Sequence, residues 1–395
     1  MKINYTTGYA GTGKSTELLK LLLELPSETS VCLAPTHKAL DRLRSSTESE
    51  IELKTIHSLL GWIPGINESA EHIDHIETVI RLDKDIDAYT DIVIDEAGMM
   101  SEEMLVTIVG KLEELNDFET DHITLHLFLD PYQLLPVKGI QIQTDPATTT
   151  NLTTQHRAES LDVVQLYTKF VKYLIGDNLD DLTTPFSDNV IEAKDIKEFR
   201  RGDRLLAYTN KCVGDYNIAI AKHLGIKSYV GEEVQLGTQT DLYKVDSFEK
   251  PSLDDLLTMF ESGKLRLQNS QINKKFLLNS MKALLDNTDI KFISSKGFII
   301  PVILGIGTAY DIKQNAKKAA IEDRSKFRDV YALNRAFTMD YPFASTVHKS
   351  QGSEYDRVWI AKKDIQRSIF NNSYTNYARL MYVAISRAKK KIFII

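Results

Sequence analysis

Short apolar runs alternate with helical stretches through the first part of the chain. Ile3 to Thr6, Val31 to Ala34, Ile92 to Ile94 and Thr124 to Leu129 read as buried strands. Between the first two, Glu17 to Leu25 is a run of helix formers whose leucines cover one face. Strand alternating with helix predicts a parallel sheet covered by helices. Each of these strands ends in residues that can do chemistry: a glycine-rich loop from Gly8, then Pro35-Thr36-His37-Lys38, then Asp95-Glu96, then Asp130-Pro131-Tyr132-Gln133. The carboxyl ends of parallel strands are where this architecture places its sites.

Between Trp62 and Tyr89 the alternation lapses into a polar, acidic stretch containing Pro64 and Gly65. A small inserted subdomain over 62–88 is expected there, and the linker-like segment Thr144 to Asn151 closes a first domain, 1–150. A second alternating unit starts with the strand Leu205 to Tyr208 and a helix from about Val213 to Leu224. From about Gln235 to Phe337 the chain turns helical and Lys-rich around one strand-like run, Gly297 to Leu304. Strand logic resumes at Ala344 and ends in Ile392 to Ile395, so a helix-rich insertion, 236–337, is expected inside a second domain, 151–395. The charge run Lys317 to Arg328 reads as a solvated helix face.

The length of 395 residues suits two large domains, and a hydrophobic content of 43% says that they fold. A net charge of −7 argues against a general positive coat, so any contact with nucleic acid must come from a local groove. Cys32 and Cys212 lie far apart in apolar contexts and are expected to be reduced. With neither a membrane-length apolar run nor the sections of a signal peptide, the expected setting is the cytoplasm, or the host cytoplasm if the chain is phage-encoded.

Gly8-Tyr9-Ala10-Gly11-Thr12-Gly13-Lys14-Ser15 fills every place of a P-loop. Gly8, Ala10, Gly11, Thr12, Gly13, Lys14, Ser15 and Thr16 would cradle the phosphates of a nucleotide on the positive end of the following helix, with Lys14 reaching the β and γ oxygens and Ser15 on Mg²⁺. Such a loop needs one carboxylate for the metal and one for water; Asp95 fits the first role and Glu96 the second. Gln133 could hydrogen-bond the γ-phosphate or the attacking water. Arg157 and Arg387 are candidates for the guanidinium that stabilises phosphoryl transfer.

These segments, in this order, resemble the superfamily 1 DNA helicases, nearest to the Dda and RecD-like group. The likeness runs over nearly the whole chain, through GYAGTGKS, LAPTHKAL, TIHSLLG, IVIDEAGMM, FLDPYQLLPV, LTTQHRA, AYTNKCVGDYN, STVHKSQGSEYDRV and LMYVAISRA. The resemblance implies two RecA-like parallel-sheet P-loop domains in tandem, each with an inserted subdomain. It implies ATP and Mg²⁺ as cofactors, with Lys14, Ser15, Asp95, Glu96 and Gln133 forming one half of the site and Arg157 and Arg387 completing it. Gly352 and Glu354 match the segment that touches nucleotide from the second domain, and Pro35, Thr36, His37, Thr55, His57, Asn210, Thr346, His348 and Lys349 match positions that meet single-stranded DNA. Thr55 and His57 serve equally well as caps of a helix through Leu60.

In similar helicases the place of the 62–88 insertion holds a strand-separating pin, and its acidic residues suit a steric wedge rather than a grip on phosphate. The family's usual β-barrel insertion is at odds with the helical pattern of 236–337. Only Met1 to Thr7 precede the P-loop, where similar helicases carry an adenine-reading segment, so relaxed nucleotide choice is expected. The activity implied is ATP-driven movement along single-stranded DNA, 5′ to 3′ by analogy, with unwinding of forked or tailed duplexes. Single-strand-binding or replication proteins are candidate partners; no membrane is involved, and a monomer is expected. The rival readings are an accessory or nuclease-complex motor with weak unwinding, an RNA substrate, and a P-loop kinase or small-molecule ATPase.

Overall fold

The computed structural model describes residues 1–59, 65–66, 72–73, 89–115, 121–136, 141–156, 161–176, 186–237, 242–268, 277–371 and 374–395. They form two compact units: Met1–Asn189 with Gln351–Glu354 and Asn372–Lys390, and Val190–Ser350 with Tyr355–Asn371 and Lys391–Ile395. Among the described residues no helix is long and apolar enough to cross a membrane, and Cys32 and Cys212 are both free thiols.

The first unit contains strands β1 (Lys2–Gly8), β2 (Ser30–Ala34), β3 (Glu52–Thr55), β4 (Gly65–Ile66), β5 (His72–Ile73), β6 (Asp91–Ile94), β7 (Thr124–Leu129) and β8 (Thr149–Leu152). Its helices are α1 (Lys14–Glu24), α2 (His37–Ser46), α3 (Ile56–Leu59), α4 (Glu102–Leu115) and α5 (Leu161–Leu174). Six strands pair in parallel in the order β3-β2-β6-β7-β1-β8, while β4 and β5 form a separate antiparallel pair.

Successive strand residues point to opposite faces, and here both faces are covered. Val31, Leu33, Ile92, Ile94 and Leu125 share a core with Ile108 and Leu112 of α4. On the other face Cys32, Ala34, Val93 and Phe128 meet Leu18 and Leu22 of α1 and Leu40 and Leu43 of α2. Leu18 and Leu22 lie one helical turn apart and are fully buried, each contributing about 1.5–3 kcal/mol relative to exposure. Side-chain caps fix where the helices begin: Thr36 accepts from the Ala39 amide at the start of α2, and Ser101 from the Met104 amide at the start of α4.

The second unit runs through β9 (Val190–Glu192), β10 (Arg204–Ala207), α6 (Asn210–His223), β11 (Glu233–Leu236), β12 (Leu242–Lys244), β13 (Ser247–Glu249), α7 (Leu253–Glu261), α8 (Leu277–Asp286), β14 (Lys291–Ser295) and β15 (Phe298–Leu304). It continues through α9 (Ile306–Glu322), α10 (Phe327–Leu333), β16 (Phe337–Asp340), β17 (Ala344–Thr346), β18 (Tyr355–Ile360) and α11 (Lys362–Asn371). Helix α12 (Tyr374–Ser386) returns to the first unit, and β19 (Ala388–Ile394) ends the fold. One sheet has the order β17-β10-β18-β19-β9, with β10 parallel to both β17 and β18 and β19 parallel to β9. At its centre Trp359 is fully buried, stacks on Phe393 at 4.2 Å and donates its indole N–H to Asp203 at 2.9 Å. Asp364, on the first turn of α11, accepts from the amides of Tyr208 and Thr209, each at 2.8 Å, and so fixes the turn that follows β10.

The fold class is the expected one, two parallel sheets covered by helices, with three differences in detail. The segment Thr144 to Asn151 is no linker: Thr149–Leu152 is β8, an edge strand beside β1 that is tied by the Thr7 hydroxyl to the Asn151 side chain. The division expected after residue 150 therefore falls inside a strand, and the first compact unit runs on to Asn189. The insertion carries its expected helices, α7 to α10, but also an open sheet, β12-β11-β16-β15-β14-β13, with β15 and β16 parallel and the other neighbours antiparallel. Strands such as β12 and β13, three residues each, are too short to show a period of two. Of the 62–88 insertion only β4 and β5 lie among the described residues, so the expected pin falls outside them.

Trp359→Ala should lower the native-state hydrogen-exchange protection of the β10 and β18 amides by about 3–5 kcal/mol, since it empties the centre of that sheet and removes the indole donor to Asp203.

Candidate functional site

β1 delivers the chain into a tight loop. An added Cβ at Gly8 would collide with Thr12 Oγ1 and lie 2.8 Å from the Leu152 carbonyl, so the close approach of β8 leaves room for glycine alone. Gly11 and Gly13 take φ values of 84° and 89°, a left-handed conformation that strains other residues, and Gly13 turns the chain into α1 at Lys14. The Lys14 ammonium folds back onto the loop, donating to the carbonyls of Gly8 at 2.6 Å and Tyr9 at 3.1 Å, with Asp130 Oδ2 at 3.7 Å. Thr12 is buried and donates to the Tyr9 carbonyl, while Thr16 stands exposed at the start of α1.

Ala10 is held on both sides of its backbone. Its N–H donates to the Tyr382 hydroxyl at 2.7 Å, and its carbonyl accepts from the Tyr167 hydroxyl at 3.0 Å and Gln155 Nε2 at 3.0 Å. Tyr382 in turn donates to Asp130 Oδ2 at 2.5 Å. Burial, followed by the charge and hydrogen bond of Asp130, pushes the Tyr382 phenol well above its ordinary pKa, so it remains a donor.

One pocket of the first unit gathers Ala10, Gly11, Gly13, Lys14, Ser15 and Thr16 of the P-loop with Asp95, Glu96, Gln133, Glu354 and Arg387. Sequence separations of more than 370 residues are closed here. Glu96 sits in the left-handed region at φ 51°, a conformation that costs a non-glycine residue about 1–3 kcal/mol, and its amide donates to Asp95 Oδ1 at 2.9 Å. Burial and then the Glu96 charge push the Asp95 pKa up to about 6, against the opposing charge of Arg42. Asp95 Oδ2 is buried and makes no hydrogen bond. A buried, orphaned carboxylate oxygen close to the Ser15 hydroxyl and the P-loop fits a hard divalent cation such as Mg²⁺, which takes oxygen ligands and lowers carboxylate pKa values.

Gln133 is buried, and its amide oxygen accepts from Gln351 Nε2 at 3.4 Å. Arg387 is buried and donates to the carbonyls of Val383 and Ser353 and to the Ser386 hydroxyl. Gly352 adopts φ 72° in the segment that presents Glu354, which lies 3.7 Å from Lys389 Nζ. Arg157 lies outside the described residues.

The candidate strand-contacting residues sit at carboxyl ends of adjacent parallel strands within each unit. In the first, Pro35 and Thr36 follow β2, His37 opens α2, and Thr55 ends β3, with Ala34 and Thr55 in register. Thr55 is buried and caps α3 by accepting from the Ser58 amide at 3.0 Å, so its hydroxyl has a structural task; His57 lies within α3. In the second unit Asn210 opens α6 after β10 and Thr346 ends β17, with Ala207 and Thr346 in register. His348 and Lys349 follow, the His348 ring 6.3 Å from Tyr208 and the Lys349 amide donating to Thr346 Oγ1.

Sequence reasoning misses four residues of this site. Arg42 and His156 line the pocket, the His156 amide bonding the Gly11 carbonyl at 2.9 Å. Tyr382 is the clamp already described, and Arg379 donates from one Nη1 to the carbonyls of Pro131 at 2.7 Å and Gln133 at 2.6 Å. Tyr382 and Arg379 lie in LMYVAISRA and just before it, a signal that points to Arg387 but assigns these two nothing. Tyr382→Phe should leave the Ala10 N–H and Asp130 Oδ2 without their partner and cost about 1–3 kcal/mol, measured by denaturant unfolding of the full chain.

The AAA domain family matches residues 1–168, and the UvrD-like helicase C-terminal domain family matches residues 341–395. The uncharacterized protein MJ1519 of Methanocaldococcus jannaschii is 23% identical over 462 residues, covering 100% of this chain and 36% of that protein. The uncharacterized protein R530 of Acanthamoeba polyphaga mimivirus is 31% identical over 157 residues, which is 35% of this chain and 30% of that protein. The chain thus spans about a third of the length of these relatives. Among solved structures, the Pif1 helicase from Candida albicans superposes with a TM-score of 0.55 at 16% identity, over 100% of this chain and 90% of that one. A structure of two coordinating Pif1 helicases at forked double-stranded DNA gives 0.53 at 15% identity, over 100% and 87%. Likeness at these identities concerns the fold.

Proposed function

We propose that the chain is a superfamily 1 helicase, an ATP-driven, Mg²⁺-dependent motor on single-stranded DNA that unwinds forked or tailed duplexes, a reading supported by the AAA match over residues 1–168 and the UvrD-like C-terminal match over residues 341–395. One observation carries the proposal: the P-loop, the Asp95-Glu96 pair, Gln133, Glu354 and Arg387 line the same pocket. A small-molecule kinase needs a P-loop and a carboxylate but has no use for Arg387 delivered from the far end of the chain.

In this reading Lys14 leaves the Gly8 and Tyr9 carbonyls for the β and γ phosphate oxygens, which outcompete neutral carbonyls for an ammonium. Ser15 and Asp95 would hold Mg²⁺, which would supply positive charge to the phosphate oxygens. Glu96 takes the proton of the attacking water, and Gln133 orients that water. Arg387 and, by analogy, Arg157 stabilise the charge of the transferred phosphoryl group. Within the first unit Pro35, Thr36, His37, Thr55 and His57 are the candidates for contact with the strand, and within the second Asn210, Thr346, His348 and Lys349, with Asn210, His348 and Lys349 favoured over the capping Thr55. Movement is 5′ to 3′ by family analogy.

Glu96→Gln and Lys14→Ala should each reduce DNA-stimulated ATP turnover at least about 100-fold while leaving the circular dichroism spectrum unchanged. Unaltered turnover would sink the assignment of this site. Unwinding of duplexes bearing a 5′ or a 3′ overhang tests the direction, and activity confined to the 3′-tailed duplex would reverse it.

A further inference from the structure

Helix α2 carries a cation that the catalytic scheme leaves unused. Arg42 Nη2 donates to Ser15 Oγ at 2.7 Å and stands 3.8 Å from Asp95 Oδ2, while Nη1 stands 3.8 Å from Glu96 Oε1. A single planar guanidinium therefore spans the three side chains to which the proposed function gives the metal and the base. The contact with Asp95 is electrostatic only, because 3.8 Å is too long for a hydrogen bond and Oδ2 accepts none. The acceptor capacity of Asp95 Oδ2 is thus unspent, Oδ1 being taken by the Glu96 amide, and the buried charge is offset by Arg42 without being bonded to it. Ser15 differs: its oxygen is engaged at hydrogen-bond distance, and a guanidinium there obstructs a divalent cation by volume as well as by charge.

We propose that Arg42 is a tethered cation that competes with Mg²⁺ for Ser15, Asp95 and Glu96 and yields to it when the metal–nucleotide complex enters. This rests on the nucleotide-site reading above and adds a residue that sets how much divalent ion the site requires. The physical balance is plain. The guanidinium carries one charge spread over a plane and is 30% exposed, so leaving for solvent costs it little. A divalent ion brings twice the charge to the same oxygens and takes up the orphaned Asp95 Oδ2 directly. Arg42 would keep the two carboxylates from repelling each other until the ion arrives, and would raise the ion concentration at which it is displaced.

The test uses the full chain with a fluorescent ADP analogue titrated with Mg²⁺, and Mn²⁺ binding followed by electron paramagnetic resonance. Arg42→Gln should lower the half-saturating concentration of both ions about fivefold or more, the effect of removing one partly screened charge. Arg42→Lys, which keeps the charge on a different reach, should fall between Arg42→Gln and wild type and stands in for it should Arg42→Gln fail to fold. An unchanged or raised half-saturation in the folded variants overturns the proposal. Wild-type protein that binds the analogue neither with nor without divalent ion would instead refute the nucleotide site itself.

Discussion

The phenol of Tyr382 is the contact on which the first unit's pocket depends. It accepts the amide hydrogen of Ala10 and donates to Asp130, so one oxygen ties the P-loop, the end of β7 and helix α12 together. A neutral phenol suits this place because it gives and takes a hydrogen bond at once. Arg379, one turn earlier on α12, fastens the carbonyls of Pro131 and Gln133, and Arg387 directly follows the helix's last residue, Ser386. The helix thereby sets the position of the Gln133 loop and of a buried guanidinium together. Because the partners are backbone groups, their geometry is insensitive to side-chain identity in the loop.

Left-handed backbone occurs where the anions are expected. Gly11 and Gly13 adopt left-handed angles at no steric cost, whereas Glu96 adopts one with a side chain. The strain is supported by neighbours: the Glu96 amide is fixed to Asp95 Oδ1, and Asp95 is buried beside β2, whose Leu33 carbonyl accepts its amide. Two adjacent carboxylates of which one is buried and orphaned make a poor stability element. Their arrangement fits the cation proposed for this site.

Much of this was open to reading in the chain itself. The four strands and their loaded ends follow from apolar runs and motif spelling, and the leucines of α1 fall on the face that meets β2 and β6. The rest escapes for physical reasons. β8 is four residues of threonine, asparagine and leucine whose strand character comes from pairing with β1, a tertiary effect. Apart from β14 and β15, the strands of the sheet in the insertion have three or four residues, too few for periodicity, and are joined to helices that dominate the composition. Arg42 lies 27 residues from Ser15 in an ordinary amphipathic helix, and Tyr382 lies 372 from Ala10, so no local pattern could mark either. Thr55 fits two tasks equally from sequence, and the geometry gives its hydroxyl to the α3 amide.

Helix α2 has a mechanical meaning beyond its role in the core. Its first residue follows the Thr36 cap at the rim proposed to meet the strand, and Arg42, five residues further on, reaches Asp95 and Glu96; at 1.5 Å per residue those positions are only about 8 Å apart. With Ala39, Leu40 and Leu43 buried beneath that stretch, the spacing between the rim and the two carboxylates is set by the packing of a single helix and not by a loop.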